Sequence, residues 1–488
     1  MTNGTVRIPT IDSAPALGSG VLSVPPPVEA DPASVVDSIA STAAPVAALF
    51  HDYLAVFIVA FLVTLGATPI MRRLAVRHGI VDKPMEARKA HRIPVAYLGG
   101  VAVFLGIMAG IVFSFFGFTA TVSEELFRIH DSAYHLMPVP FSILLGLLVI
   151  TVVGLLDDVI KLDPRLKIAG QLLAAAALAM EEVGTRVAAG VMQPIGRLMG
   201  NQDLIYHIHL PFDWPLMQTN VITIDVIYWA GVAIIAVFVL GATNATNLID
   251  GLDGLASGVT GIAAAGLLVL ALVLAHQDDG QLDAARIVLC MALLGACVGF
   301  LPHNFNPATI FLGDCGSLLL GYATIAIILT LGDTGRTALV VAGLIIYSIP
   351  IIDTVLAIVR RKMAGKPMSA PDDQHLHHML KRALGVKGAV LTLYAIGALF
   401  AVLGVWLSMG RVRVVFTIAM VVAAFIGVTA VKIARRQAIE AHIVSLHGAG
   451  AAASGSSGPA RSRAVERVPE PVIPAPSAPT EKPKPAPA

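Results

Sequence analysis

The chain is expected to be an all-α polytopic membrane protein with about eleven transmembrane helices, its N-terminus outside and its C-terminus cytoplasmic. Three observations lead there. Of its 488 residues 56% are hydrophobic and only 13% charged, roughly half the charge content of a soluble domain. Runs of 16 to 23 residues almost free of Asp, Glu, Lys and Arg recur along the chain, the length an α-helix needs to cross the ~30 Å hydrocarbon layer. Barrel strands would be shorter and would alternate apolar with polar residues, which these runs do not. The balance of 33 basic against 32 acidic side chains gives no reason to expect nucleic-acid binding. Cys290, Cys297 and Cys315 lie in or beside apolar runs without CxxC spacing, so they read as small buried residues rather than disulfides or zinc ligands.

The runs fall, in order, at 53–71, 95–118, 139–156, 166–180, 226–243, 254–275, 287–302, 316–332, 337–359, 388–409 and 414–431, the fourth and seventh being short. An odd number of spans puts the termini on opposite sides, and the basic residues decide which. With the N-terminus outside, the inner loops carry 17 Lys and Arg and the outer loops 7, as the positive-inside rule requires. Residues 1–44, rich in Pro, Ala and Ser, read as a disordered extension with no apolar core of a cleaved signal peptide. The membrane domain is 45–440, and 441–488 reads as a disordered cytoplasmic tail with nine prolines in its last thirty residues. The outer segment 181–225 is the longest loop, with room for a hairpin or surface helix.

That orientation gathers the polar clusters on the inner face. GLLDDVIKLD puts Asp157 and Asp158 where the third span ends. Adjacent carboxylates there fit either a solvated helix end or a metal- or proton-handling pair. NATNLIDGLDGLASG spaces Asn244, Asn247, Asp250 and Asp253 by three, one helical face. Its amide and carboxylate oxygens suit magnesium and its amide donors suit ribose or uracil, with an Asx-rich turn as the plainer account. Asp314 stands in a Gly-Asp-Cys-Gly turn before the eighth span. Helix N-terminal N–H groups attract phosphate there and the carboxylate can hold its cation; a simple cap is the competing account. PDDQHLHHML carries His375, His377 and His378. Lacking a Cys or a separated His pair for zinc, they read as partners for phosphate or sugar oxygens, or as a solvated loop. Positive-inside bias explains most of Lys83, Arg88, Lys89, His91 and Arg92, with a phosphate or anionic lipid head group as a further role. Asp353, inside the ninth span, is a buried acid expected to pair with a cation.

Taken in order, DKPMEARKAHRIPVAYLGG, GLLDDVIKLDPRLKIAGQ, NATNLIDGLDGLASG, NFNPATIFLGDCGS, PIIDT and PDDQHLHHML, across about residues 80 to 385, resemble the polyprenyl-phosphate N-acetylhexosamine-1-phosphate transferases, glycosyltransferase family 4. The HLHH loop is more similar to the WecA-like branch than to the MraY-like branch, whose three-histidine run is missing. The resemblance implies transfer of N-acetylglucosamine 1-phosphate from UDP-GlcNAc to undecaprenyl or decaprenyl phosphate, with release of UMP, at the cytoplasmic face of a bacterial plasma membrane. UDP-GalNAc or UDP-MurNAc-pentapeptide would be alternative donors. A secondary transporter is the rival from another class, but it would place its site at mid-membrane between repeated halves. Mg²⁺ is the implied cofactor, with Mn²⁺ a substitute. The implied partners are the UDP-sugar, the lipid and the membrane; a homodimer is compatible. Carried over motif by motif, the resemblance implies catalytic roles for Asp157, Asp158 and Asp314 and metal ligation by Asp314 and Asn247. It implies substrate contacts from Asn244, Asp250, Asp253, Lys89, His91, His375, His377 and His378.

Overall fold

The computed structural model describes residues 32–82, 95–116, 138–209, 221–277, 280–363 and 375–422, with isolated positions besides. Two units partition the chain, Met1–Ala430 and Val431–Ala488, and every feature below lies in the first. Helix α1 (Pro32–His78) leads through the two-residue strands β1 (Val81–Asp82) and β2 (Val95–Ala96) into α2 (Gly99–Phe116). Then come α3 (Phe141–Ile160) and α4 (Pro164–Met180), the latter started by Pro164 at its first turn and by the Asp163 carboxylate, which accepts the Arg165 N–H at 2.8 Å. The long segment 181–225 holds both a helix and a hairpin among its described residues. A short helix α5 (Ala189–Leu198) precedes an antiparallel hairpin of β3 (Ile205–His209) and β4 (Val221–Asp225). The remaining bundle is α6 (Val226–Ile249), α7 (Leu255–His276), α8 (Asp283–Asn304), α9 (Gly313–Thr330), α10 (Thr337–Ile346), α11 (Ser348–Met363), α12 (Leu376–Ser408) and α13 (Val412–Val422).

Each of the eleven predicted runs overlaps helix among the described residues. Among the described residues eight helices are long and apolar enough to cross a membrane, and α10 with α11 makes nine if that bent pair is one span. The other two runs correspond to α4, with 17 residues, and to α13. Two expectations about shape change. The run 337–359 is not one rod, because α10 and α11 meet at 81°. Pro350 explains the break: its ring clashes with the carbonyl four residues back, that of Ile346, where α10 stops. Residues 32–44, read from the sequence as part of an extension, are helical in α1.

Helix α9 is the axis of the bundle, buried along 94% of its length, whereas α1 buries 22% of its most apolar stretch. The outer helices turn Leu62, Leu105, Leu148, Val237, Leu399 and Trp406 outward. Such an apolar exterior is what a lipid solvent requires. Close glycine contacts bring α2 and α3 onto α9: a Cβ on Gly100 would lie 2.1 Å from the Gly316 nitrogen, and one on Gly154 2.5 Å from the Cys315 Cα. At its other end α9 is held by Arg286, counted in the sequence as an outer-loop charge but wholly buried. Its guanidinium pairs with Asp283 at 2.7 Å and donates to the Thr330 carbonyl at 2.6 and 3.2 Å. A terminal carbonyl and a buried charge are satisfied together. The three cysteines are free and buried, as expected.

Candidate active site

The site forms where α3 and α6 end and α9 begins. Asp158, near the end of α3, accepts the backbone N–H of Asp314 at 2.8 Å and of Cys315 at 3.0 Å. It thus caps α9 from across the bundle, accepting two N–H groups that have no partner inside the helix. Gly313 makes this approach feasible, since it has φ +73° and a Cβ there would lie 2.6 Å from an Asp158 oxygen. Parallel support comes from the other side. Ala96 bridges to Ile310, and the N–H groups of Gly99 and Gly100 donate to the carbonyls of Phe311 and Leu312 at 3.1 and 2.9 Å. The start of α9 is therefore fixed from two directions, and with it the Asp314 side chain.

Asp314 receives two side-chain bonds, from Asn247 Nδ2 at 2.7 Å and from Lys167 Nζ at 2.5 Å. Lys167 also reaches Asp157 at 2.9 Å, and the other Asp157 oxygen accepts the Leu162 N–H at 2.8 Å. One ammonium from α4 therefore stands between two carboxylates from α3 and α9, which is how these acids coexist at close range. Asn247 continues to Ser317 at 2.9 Å. Asn244, one turn earlier on α6, faces α4 instead and donates to the buried Gln171 at 3.0 Å. Asp253 holds the loop before α9, accepting from Asn306 Nδ2 at 2.8 Å and from the Ala308 N–H at 3.0 Å. Asn304 pins the same loop to α7 through Gly254 and Ser257.

Above this network lies a cavity of about 340 Å³ lined by Asp82, Tyr97, Asn247, Asp250, Asp253 and Asp314, with His378 and Lys381 contributed by the start of α12. His375 and His377 turn away from it, buried against Asp353. The sequence-derived candidates thus divide. Asn247 bonds Asp314 directly, Asp157 joins them through Lys167, and Asp250, Asp253 and His378 share the cavity with Asn247 and Asp314. Asp158 is engaged by backbone amides, and Asn244 by Gln171. Lys89 and His91 lie outside the described residues. Sequence reasoning overlooked Lys167, Lys381, Tyr97 and Asp82. Lys167 carried a usable signal: it is a lone cation in the apolar run 166–180, a rarity that marks function. Lys381 lies three residues after His378, on the same helical face.

Electrostatics follow from this crowding of acids. Burial of the Tyr97 hydroxyl, and then the charges of Asp82, Asp158 and Asp314, push its pKa up, so the phenol stays neutral. Asp250 lies in the turn between α6 and α7. Burial, and then the like charges of Asp314, Asp158 and Asp253, raise its carboxyl pKa well above the ordinary value. In the folded, cation-free protein Asp250 therefore keeps a proton that the unfolded chain releases above about pH 4. The folded state binds more protons in that window, so this contribution to stability falls as pH rises toward the raised pKa. Thermal unfolding in EDTA should show the fall as a difference between wild type and Asp250→Asn. Saturating Mg²⁺, which favours the ionised carboxylate, should flatten it. A difference rising with pH in EDTA would contradict the assignment.

A bundle of apolar helices with a carboxylate, amide and lysine cluster at one end is the architecture of a multi-pass membrane protein. Residues 140–332 match the model of glycosyl transferase family 4. The chain is 31% identical over 381 residues to the probable undecaprenyl-phosphate N-acetylglucosaminyl 1-phosphate transferase of Bacillus subtilis, covering 76% of this chain and 91% of that protein. It is also 31% identical to the decaprenyl-phosphate N-acetylglucosaminephosphotransferase of Mycolicibacterium smegmatis, covering 77% and 87%. A phospho-N-acetylmuramoyl-pentapeptide-transferase of Geobacillus kaustophilus is 29% identical, covering 72% and 96%. The chain belongs to glycosyl transferase family 4.

Proposed function

We propose that this protein transfers N-acetylglucosamine 1-phosphate from UDP-GlcNAc to a polyprenyl phosphate, giving polyprenyl-diphosphate-GlcNAc and UMP, at the cytoplasmic face of a bacterial plasma membrane. The observation that carries the reading is the position of Asp314. It sits at the base of a polar cavity, beside Asn247 and Lys167, at one end of a bundle whose outer helices turn apolar side chains outward. A soluble nucleotide sugar and a lipid-anchored phosphate can both reach such a border. Relatives named for N-acetylglucosamine, from two bacterial genera, support the choice of sugar.

The acceptor phosphate has a second pKa of about 6 and is mostly dianionic at neutral pH, so no strong base is needed. Its oxygen attacks the β phosphorus of the donor in line. The bond from that phosphorus to the bridging oxygen breaks, and the oxygen leaves with UMP. The difficulty is repulsion between two anions, and the residues present fit a divalent cation as its remedy. Asp250, Asp253 and Asp314 bring carboxylate oxygens to one cavity that Asp82 also lines, and His378 and Lys381 are the basic side chains among its lining residues. Mg²⁺ would be held by Asp314, with Asn247 and Asp250 adjacent, and would supply charge neutralisation at the diphosphate. Lys167 orients Asp314 and balances Asp157, while Lys381 faces the incoming phosphates. Asp158 and Asp253 act as positioning residues through the backbone they hold.

A panel of UDP-sugars presented to the purified enzyme with one polyprenyl phosphate tests this by UMP release. UDP-GlcNAc should be turned over at least about tenfold faster than UDP-GalNAc or UDP-MurNAc-pentapeptide, within the ~1–3 kcal/mol that a modest pocket difference supplies. Exclusive use of another sugar, or ion-coupled uptake into vesicles with no UMP released, would replace the proposal.

A further inference from the structure

Asp353 is 2% exposed, on the second arm of the bent helix pair. Its carboxylate meets three groups from the start of α12. One oxygen accepts the Leu376 N–H at 2.7 Å, and the other faces His375 Nδ1 at 3.1 Å and His377 Nδ1 at 3.0 Å. Leu376 is the first residue of α12, and His375 before it makes no side-chain cap bond of its own. Asp353 is therefore the cap, delivered from another helix to an N–H with no partner inside its own. An ionised carboxylate only accepts, so both imidazoles carry their proton on Nδ1.

The first part of α12, residues 376–384, is a separate arm, because Gly385 breaks the helix with φ 73° and ψ 177°. That break uncouples the arm from the membrane span after it, so its direction is set by what it docks on. Leu376 and Leu380 pack against the main core, and Asp353 supplies the polar tie. The ties pass outward ring by ring. His375 and His377 stack with centroids 5.4 Å apart, and His378 lies 4.3 Å from His377. On the inner side, a Cβ on Gly251 would lie 2.6 Å from His377 Nε2, so the stack is wedged against the turn that carries Asp250. His378 and Lys381 then emerge into the cavity that contains Asp250 and Asp314.

We infer that Asp353 is a positioning residue that anchors the arm 376–384 so that His378 and Lys381 face the diphosphate of the nucleotide sugar. The substrate part of this inference rests on the transferase reading above. Asp353 touches no substrate itself; it acts through the residues it holds.

The test uses the full-length purified enzyme and its Asp353→Ala, Asp353→Asn, His378→Ala and Asp353→Ala/His378→Ala variants. Kinetics with UDP-GlcNAc are paired with amide hydrogen exchange. Asp353→Ala should raise KM about tenfold or more, as losing the partner that orients a ligating group does elsewhere. It should also speed exchange across 376–384 while leaving α9 protected. Asp353→Asn keeps one carbonyl oxygen for the Leu376 N–H and should recover part of both. The double variant should lose little more than the worse single one, because both act through one arm. Additive losses, or an alanine variant with wild-type KM and exchange, would overturn the inference. If the alanine variant cannot be purified, exchange and KM in Asp353→Asn decide in the same way. If wild type releases no UMP, the transferase reading fails by itself, and exchange in the variants still judges the anchor.

Discussion

Asp314→Ala is expected to lower turnover by about 10³-fold or more while the protein still inserts and folds. The magnitude follows from removing the group that would hold charge-neutralising metal at the reacting phosphates, an effect at least equal to losing a preorganised electrostatic contact. Folding should survive because α9 is fixed by contacts that the substitution leaves in place: the Asp158 cap uses backbone N–H groups, and the helix is buried along its length. Single-turnover UMP release and thermal unfolding, measured on the same preparation, separate the two effects. Asp314→Asn keeps an acceptor for Lys167 but loses the charge, so it should stay far below wild type. Wild-type turnover in purified Asp314→Ala would remove the centre of the proposed site.

Lys167→Met is expected to reduce turnover by about 10²-fold, and to do so more severely at low Mg²⁺. Methionine preserves the packing of the aliphatic stem but removes the ammonium that lies 2.9 Å from Asp157 and 2.5 Å from Asp314. Breaking a fully buried pair by deleting one partner costs about 3–5 kcal/mol. That is an upper bound here, because the Asp314 side chain is 33% exposed and water screens part of the repulsion. What remains is a pair of acids facing each other with Asp314 held by Asn247 alone, and small displacements at a reacting centre cost about 10²-fold. A Mg²⁺ titration of turnover in wild type and variant checks both the size and the metal dependence. An unchanged turnover would reduce the bridge to a structural ion pair.

How far the site was legible depended on what each residue does. Asp157, Asn247, Asp250 and Asp314 stood out because oxygen-rich residues at span ends are expensive next to hydrocarbon and so carry information wherever they occur. Their roles were less visible. Asp157 and Asp158 are adjacent and chemically identical, yet one meets a lysine and the other caps a helix. The distinction comes from the rotation of α3 against α9, which no local pattern encodes. Lys167 was overlooked because a single basic residue near a span end resembles ordinary positive-inside charge, and its second carboxylate partner is 147 residues away. Asp353 was expected to find a cation; its partners proved to be two imidazoles and a backbone N–H.

Hydropathy and polar spacing in the chain were enough to establish helices, membrane residence, and a set of acids, amides and histidines at span ends, because burial in lipid is a property each segment carries alone. Packing decided the rest: the 81° bend at α10 and α11, the lysine between Asp157 and Asp314, and the arm that brings His378 and Lys381 to the cavity. These depend on which faces of distant helices meet, and a contact between two segments is a property of neither one.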